Sequence, residues 1–414
     1  MKNRVAVTGL GVLSPLGAGI KETWARVIKK ESAVFKASFE GCGLFGHSMC
    51  GSVAEFNPED YIPNRRLLKL MNREALLSSA AARLAIDDAH IEGCYKPEST
   101  GLFIGSGLTS GEPDYLLPLI ENSIDENGNF SYGLLGSKAL PGCNPLLSFK
   151  ILPNMALSYI SILFGIKGRN MAFNPWPGNT LQAVGMAMRA IESGAVDCAL
   201  AGGCDSKNHF IGFTTFSNLG LLSRKGISSP FSQESDGIVL SEGASVIVLE
   251  NYDMALKRGA VIYAELSGFS TLTDPSGTGY ISASSETMAE VMNNTISDAD
   301  INAGEVDAVI AGAASVRQSD IAEASAIGKV FGRSTPLVTS FKPLTGDMLA
   351  ASSAFDVCIG SSAAAKGEIP AILSNADPEI DLNFSFSGGE VKTVLINAFE
   401  PGRAKTSLLL RRAQ

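Results

Sequence analysis

Short β-branched runs at 4–8, 101–104, 197–201, 245–249, 307–311 and 393–398 alternate with stretches whose apolar residues recur at helical spacing, at 72–88, 178–193, 286–297, 319–331 and 348–365. Alternation of this kind predicts an α/β protein with buried sheets. Two of the predicted helices, 178–193 and 348–365, carry Gly, Ala and Ser on nearly every face in place of one apolar stripe. That is the pattern of a helix enclosed in the middle of a fold. One lies in each part of the chain and each follows a Gly- or Pro-bearing turn, so the sequence reads as two similar halves, 1–250 and 251–414, packed face to face.

The chain has 414 residues, 45% of them hydrophobic, enough for one large core or two half-size cores packed together. Only 18% are charged, and 43 glycines point to close packing rather than to disordered polymer. A net charge of −9 argues against broad nucleic-acid binding, which needs a cationic surface first. Lys2 and Arg4 precede an apolar run, but Gly9, Gly11 and Pro15 interrupt it, so a first strand entering a glycine turn is expected rather than a secretory signal. Seven cysteines, an odd number without a CxxC pair, predict a reduced, cytoplasmic protein. No segment approaches the roughly 18–20 apolar residues of a membrane span. Gly9-Leu-Gly11 and Gly105-Ser-Gly107 do not complete a dinucleotide fingerprint, so their glycines are read as close-approach and turn positions. No cofactor or metal is expected.

Several motifs in order carry a family resemblance. The opening Arg4-Val-Ala-Val-Thr-Gly-Leu-Gly-Val-Leu-Ser-Pro-Leu-Gly17 is followed by Met71-Asn-Arg73, Pro153-Asn-Met155, Gly165-Ile-Lys-Gly168 and Ala201-Gly-Gly203. Then come Ser229-Pro-Phe231, Asp236-Gly237, Ser241-Glu-Gly-Ala244 and Phe384-Ser-Phe-Ser-Gly-Gly389. Together they resemble the β-ketoacyl carrier-protein synthases of the thiolase fold over almost the whole chain. The resemblance implies a five-layered α-β-α-β-α arrangement with two pseudo-duplicated halves, and dimerisation through an extended sheet.

An active member of that family holds its acyl chain on a cysteine at the N-terminal end of a buried helix, where the helix dipole lowers the thiol pKa. Counting back from Ala183-Val-Gly185 places that residue at Pro177. Proline lacks both the thiol and the backbone N–H that in the family helps to stabilise the thioester oxyanion, and it also suits the first position of a helix. The first family histidine falls at Gly312 when the motif is anchored on Ser319-Asp320 and Glu323, and the second falls at Asp347, with Lys342 retained upstream. Those imidazoles donate hydrogen bonds to the enolate formed as malonyl groups lose carbon dioxide, whereas an ionised Asp347 repels it. The chain's histidines, His47, His90 and His209, lie outside these motifs and are read as structural, and Cys198 and Cys204 as inert.

Chain-length factors of type II polyketide synthases, aromatic or polyene, are the branch that keeps the ketosynthase scaffold without its cysteine. Many have glutamine there, and this chain departs even from that. The resemblance therefore implies a non-condensing subunit that pairs as a heterodimer with an active ketosynthase. It would receive intermediates on a phosphopantetheinyl acyl carrier protein and limit chain length in an interfacial tunnel. Tunnel residues are expected in 108–149, with Tyr115, Leu116 and Leu119 as candidates; Arg65, Arg66 and Lys69, with Arg73, are candidates for carrier contact. Two other readings stay open: an inactive structural scaffold, and an independent acyl-thioester enzyme of atypical chemistry.

Overall fold

The computed structural model describes residues 2–46, 48–107, 113–174, 178–276, 283–332, 334–372, 375–384, 390–399 and 403–413. Its centre is a mixed sheet whose main strands are β1 (Val5–Ser14), β2 (Thr100–Ser106), β3 (Asn170–Phe173), β4 (Cys198–Ser206), β5 (Glu242–Asn251), β6 (Ala264–Thr273), β7 (Ala308–Ile310), β8 (Leu337–Thr339), β9 (Thr393–Ala398) and β10 (Ala404–Arg411). The spatial order is β8-β7-β9-β10-β6-β1-β5-β4-β2-β3. Read outward from β1 and from β6, the first five and the last five strands repeat one topology. In each set the second strand runs parallel to the third and fourth, and the fifth is antiparallel to the fourth and to the first. Val5–Val7 of β1, paired with 264–266 of β6, join the two sets.

Helices fill three layers around these sheets. On one outer face α1 (Arg73–Ala89) crosses β1, β4 and β5. Next in the chain come α2 (Pro113–Glu121) and α3 (Met155–Phe164), the latter packed on α1. Between the sheets lie α4 (Gly178–Glu192) and α7 (Ser352–Lys366), while α5 (Ser285–Asp298) and α6 (Arg317–Phe331) cover the other outer face. The result is the five-layered thiolase fold with two pseudo-duplicated halves. Its apolar packing is divided accordingly: Leu77, Ala81 and Val246 lie in the first outer core, Leu181, Val357 and Leu410 in the central one, and Met292, Ile327 and Leu409 in the second outer core.

The Gly- and Ala-rich character of α4 and α7 follows from their position. A Cβ built on Gly185 would lie 2.2 Å from the Phe269 ring of β6, and one on Gly360 would touch Leu410, Ile396 and Ile310 at 3.0–3.3 Å. α7 is buried from Ser352 to Ala364, and α4 reaches solvent only along a half-buried edge with Gln182, Met186 and Arg189. Gly9 and Gly11 serve the same end on β1, where a Cβ would lie 2.3 and 1.9 Å from the Ala85 and Ala81 carbonyl oxygens of α1. Their role is close backbone approach rather than nucleotide binding. Asn72 starts α1 by accepting the Ala75 N–H at 2.9 Å, and His90 ends it at a φ of 51°. The predicted helix over 348–365 is split: a 3₁₀ turn, Leu349–Ala351, precedes α7. Among the described residues no helix is long and apolar enough to cross a membrane.

Candidate functional site

The head of α4 meets the 3₁₀ turn Leu349–Ala351, with a Cβ on Gly203 falling 2.5 Å from Ala350 O. Pro177 is outside the described residues. The start of α4 is seated between the sheet glycines Gly105 and Gly203, each of which would place a Cβ 2.1–2.2 Å from Thr180 Oγ1. Gly312 follows β7, and its N–H donates to Glu323 Oε1 at 3.0 Å while its carbonyl accepts from Lys342 Nζ at 2.9 Å. An added Cβ there would lie 2.6 Å from Phe399 N and 3.2 Å from Asn397 O. Backbone of the segment leaving β9 thus occupies the direction in which a side chain at 312 would point.

Asp347 is reused as a structural acceptor. It is 2% exposed. Its Oδ1 accepts from Leu349 N at 2.9 Å and Ser352 Oγ at 3.0 Å, capping the turn that leads into α7. Its own backbone is fixed on both sides, with Asp347 N donating to Val239 O at 2.7 Å and Ser241 N donating to Asp347 O at 2.9 Å. The carboxylate at this place serves to cap the turn, while the main chain of Asp347 is paired independently of its side chain.

Three further buried carboxyl groups, Asp320, Glu323 and Asp356, feel the charge of Lys342, and sequence reasoning gave none of them a role. Asp320 accepts from Phe231 N at 3.0 Å and Ala314 N at 3.2 Å, and Glu323 also accepts from Asn397 Nδ2 at 3.0 Å. Burial pushes the carboxyls of Asp320 and Asp356 up to about 7, and raises that of Glu323 as well. Asp320 and Glu323 were legible only as anchors of a motif, and Asp356 carried no signal because it lies in the small-residue run of α7. The centre contains carboxyls and an ammonium, with no thiol or imidazole at Gly312 or Asp347 to form a thioester or to donate to an enolate.

The remaining candidates are distributed elsewhere. Cys198 and Cys204 are fully buried, and burial raises both thiols, so neither is poised as a thiolate. His209 caps the helix Phe210–Asn218, with Nδ1 accepting the Gly212 N–H at 3.2 Å, and burial lowers its imidazole to about 4. His47 is outside the described residues. Leu116 and Leu119 lie half-buried on α2, and the Tyr115 side chain is outside the described residues. Leu119 lines a cavity of about 170 Å³ with Pro118, Ala139 and Leu147. Around it lies an uncovered apolar face: Leu117, Ile120, Phe130, Leu140 and Phe149 are exposed and Tyr132 is 83% exposed.

Arg65 and Arg66 start a separate short helix, Arg65–Leu68, capped by Asn64; with Lys69 they are exposed, and Arg65 pairs with Glu59 at 2.8 Å. Arg73, grouped with them in the sequence, is turned inward: it binds Glu242 at 2.7 and 3.0 Å and Val53 O at 3.0 Å. A second buried ion group, Lys207 with Glu74 and Asp205, ties the head of α1 to the end of β4 and was not foreseen. Among the described residues no His, Cys, Asp and Glu side chains are grouped so as to hold a metal ion.

The "Beta-ketoacyl synthase, N-terminal domain" model matches residues 2–255, and the corresponding C-terminal domain model matches 263–375. The chain belongs to the β-ketoacyl synthase family. Among curated members it is 28% identical to 3-oxoacyl-(acyl-carrier-protein) synthase 2 of Coxiella burnetii, over 99% of each chain. It is 30% identical to the mitochondrial 3-oxoacyl-(acyl-carrier-protein) synthase of Arabidopsis thaliana, over 98% of this chain and 92% of that one. Among solved structures it resembles the ishigamide ketosynthase/chain length factor, with a TM-score of 0.89 at 26% identity and full coverage of both chains. A type II polyketide ketosynthase solved with its acyl-carrier protein gives a TM-score of 0.83 at 25% identity, again over the full length of both. As a ketosynthase-family fold, the molecule keeps the scaffold around the centre while Gly312 and Asp347 have structural duties within it.

Proposed function

We propose that this chain is the non-condensing, chain-length-factor subunit of a type II polyketide synthase. Residues 1–250 and 251–414 form its two ketosynthase-like halves. It pairs in the cytoplasm with an active ketosynthase that supplies the cysteine and both histidines, takes no cofactor of its own, and shapes the tunnel receiving chains delivered on the acyl carrier protein. The observation that carries the reading is the reuse of the reaction centre: proline at 177, glycine under backbone at 312 and a capping carboxylate at 347. The uncovered apolar face around α2 supports a macromolecular partner there, because an exposed patch of large aliphatic and aromatic side chains is costly on a free monomer. Likeness to a ketosynthase/chain length factor structure supports the same reading.

Tyr115, Leu116 and Leu119 would floor the tunnel, and Arg65, Arg66 and Lys69 would meet the carrier. The test is co-production with the ketosynthase and carrier, followed by mass analysis of the products. Leu116→Phe and Leu119→Phe should shorten the product by two-carbon units. Unchanged length with unchanged yield favours an inert scaffold, and acyl-thioester turnover by the isolated chain would favour an independent enzyme.

A further inference from the structure

A cavity of about 180 Å³ opens between the second half of α1, the loop 91–97, the first residue of β2 and the end of α3. Leu200 of β4 is its most buried lining residue. Thr100 begins β2, whereas Gly105, against which the head of α4 is seated, comes five residues later; at about 3.3 Å per residue the two are about 17 Å apart. The cavity is therefore separate from the positions that the proposed function uses.

Its inner wall is apolar. Ile86, Ile91, Ile166 and Leu200 are buried there, and Leu163 and Phe164 of α3 are half-buried. The polar side chains of this wall are engaged: the Tyr95 hydroxyl donates to Glu250, and Thr100 Oγ1 donates to the Lys96 carbonyl at 3.1 Å. An occupant of this part has an apolar body, since a polar one would lose its hydrogen bonds to water. An apolar cavity of about 150 Å³ accommodates benzene, so this one has room for a phenyl or isobutyl group.

The mouth is charged. Arg83 holds its guanidinium over the Phe164 ring, 4.7 Å from the centroid, and its Nη1 lies 3.4 Å from Asp87 and 3.7 Å from Glu92. Both carboxylates are exposed, so these long pairs contribute little and the guanidinium can take a better-placed acceptor. Glu92 also lines the cavity and puts an anion beside Arg83, and the C-terminal end of α3 favours a cation at the same rim.

We propose that this cavity binds a free α-amino acid with an apolar side chain of leucine or phenylalanine size. Its carboxylate would meet Arg83, its ammonium Glu92, and its side chain Ile86, Ile91, Leu163 and Leu200. One cation beside one anion over an apolar pocket selects a zwitterion: a carboxylic acid alone is repelled by Glu92, and an amine alone leaves Arg83 without an acceptor.

The test is saturation-transfer NMR and calorimetric titration of the full chain with L-leucine and L-phenylalanine. Isocaproate and isoamylamine, which lack the ammonium and the carboxylate of leucine respectively, are the controls. One or both amino acids should bind saturably, one molecule per chain, and both controls at least about tenfold more weakly, because each lacks a hydrogen-bonded charge. Arg83→Gln and Glu92→Gln should each weaken amino-acid binding by about tenfold or more. The control ligands keep the question decidable on the wild type if a variant misfolds. Absence of saturable binding by the wild type, equal affinity for either control, or undiminished affinity in folded Arg83→Gln overturns the proposal.

Discussion

Replacing Gly312 by alanine adds one methyl group at a closely confined point after β7. Its carbon would stand 2.6 Å from Phe399 N and 3.2 Å from Asn397 O, closer than side-chain carbons approach backbone atoms. Gly312 cannot easily withdraw, because its N–H is held by Glu323 and its carbonyl by Lys342. Phe399 is itself buried and tethered, its carbonyl accepting from Ser319 Oγ and Lys405 Nζ at 3.3 Å. Overpacking of this kind costs about 1–3 kcal/mol. At about 2.1 cal/mol/K per residue, a 414-residue chain unfolding as one unit has an unfolding entropy near 0.9 kcal/mol/K, so the melting temperature should fall by about 1–3 K. Scanning calorimetry on the purified chain measures this. Gly312→His should cost more and restore no condensation, even combined with Pro177→Cys and Asp347→His, because an imidazole at 312 has to displace the β9–β10 connection. A Gly312→Ala protein as stable as the wild type, or carbon–carbon bond formation by the triple variant, would refute the reasoning.

Other outcomes follow from the same geometry. Asp347→Ala removes the acceptor for Leu349 N and Ser352 Oγ and should cost about 1–3 kcal/mol, whereas Asp347→Asn retains a carbonyl oxygen and should recover most of it; urea midpoints distinguish the two. His209, lowered from 6.5 to about 4, is neutral in the fold, so its contribution is present above pH 6.5 and lost as the pH falls through about 4. His209→Asn, which keeps a capping acceptor, should flatten that acid limb, and an identical slope in both proteins counts against the assignment. If the chain pairs as proposed, Arg66→Glu with Lys69→Glu should weaken carrier binding to that proposed heterodimer severalfold, as expected for exposed charges worth about 0.2–1 kcal/mol each, and the effect should vanish in high salt. A titration with purified carrier that shows equal affinity places docking elsewhere.

Much of the architecture was legible from local pattern. The position of α4 and α7 between the two sets of strands could be read because a helix packed on most sides needs small residues where neighbours approach closely, as at Gly185 and Gly360. Strands β3, β7 and β8 are only three or four residues long, too short to show alternation clearly, and β7 alone of these falls in a predicted run; the longer β6 and β10 are also absent from the predicted strands. Arg73 illustrates a different limit. It follows Arg65, Arg66 and Lys69 in sequence as one basic group, but Asn72 begins a new helix there and directs the guanidinium to Glu242, distant in the chain.

The sequence by itself placed a proline at 177, a glycine at 312 and an aspartate at 347, none of which can act as a thiol or an imidazole in any conformation. Side-chain identity sets that limit before folding begins. What those positions do was decided by tertiary structure alone: Phe399 backbone over Gly312, the capping task of Asp347, and the burial of Asp320, Glu323 and Asp356 within reach of the Lys342 charge. These depend on distances and desolvation between segments remote in the chain, which no local pattern records.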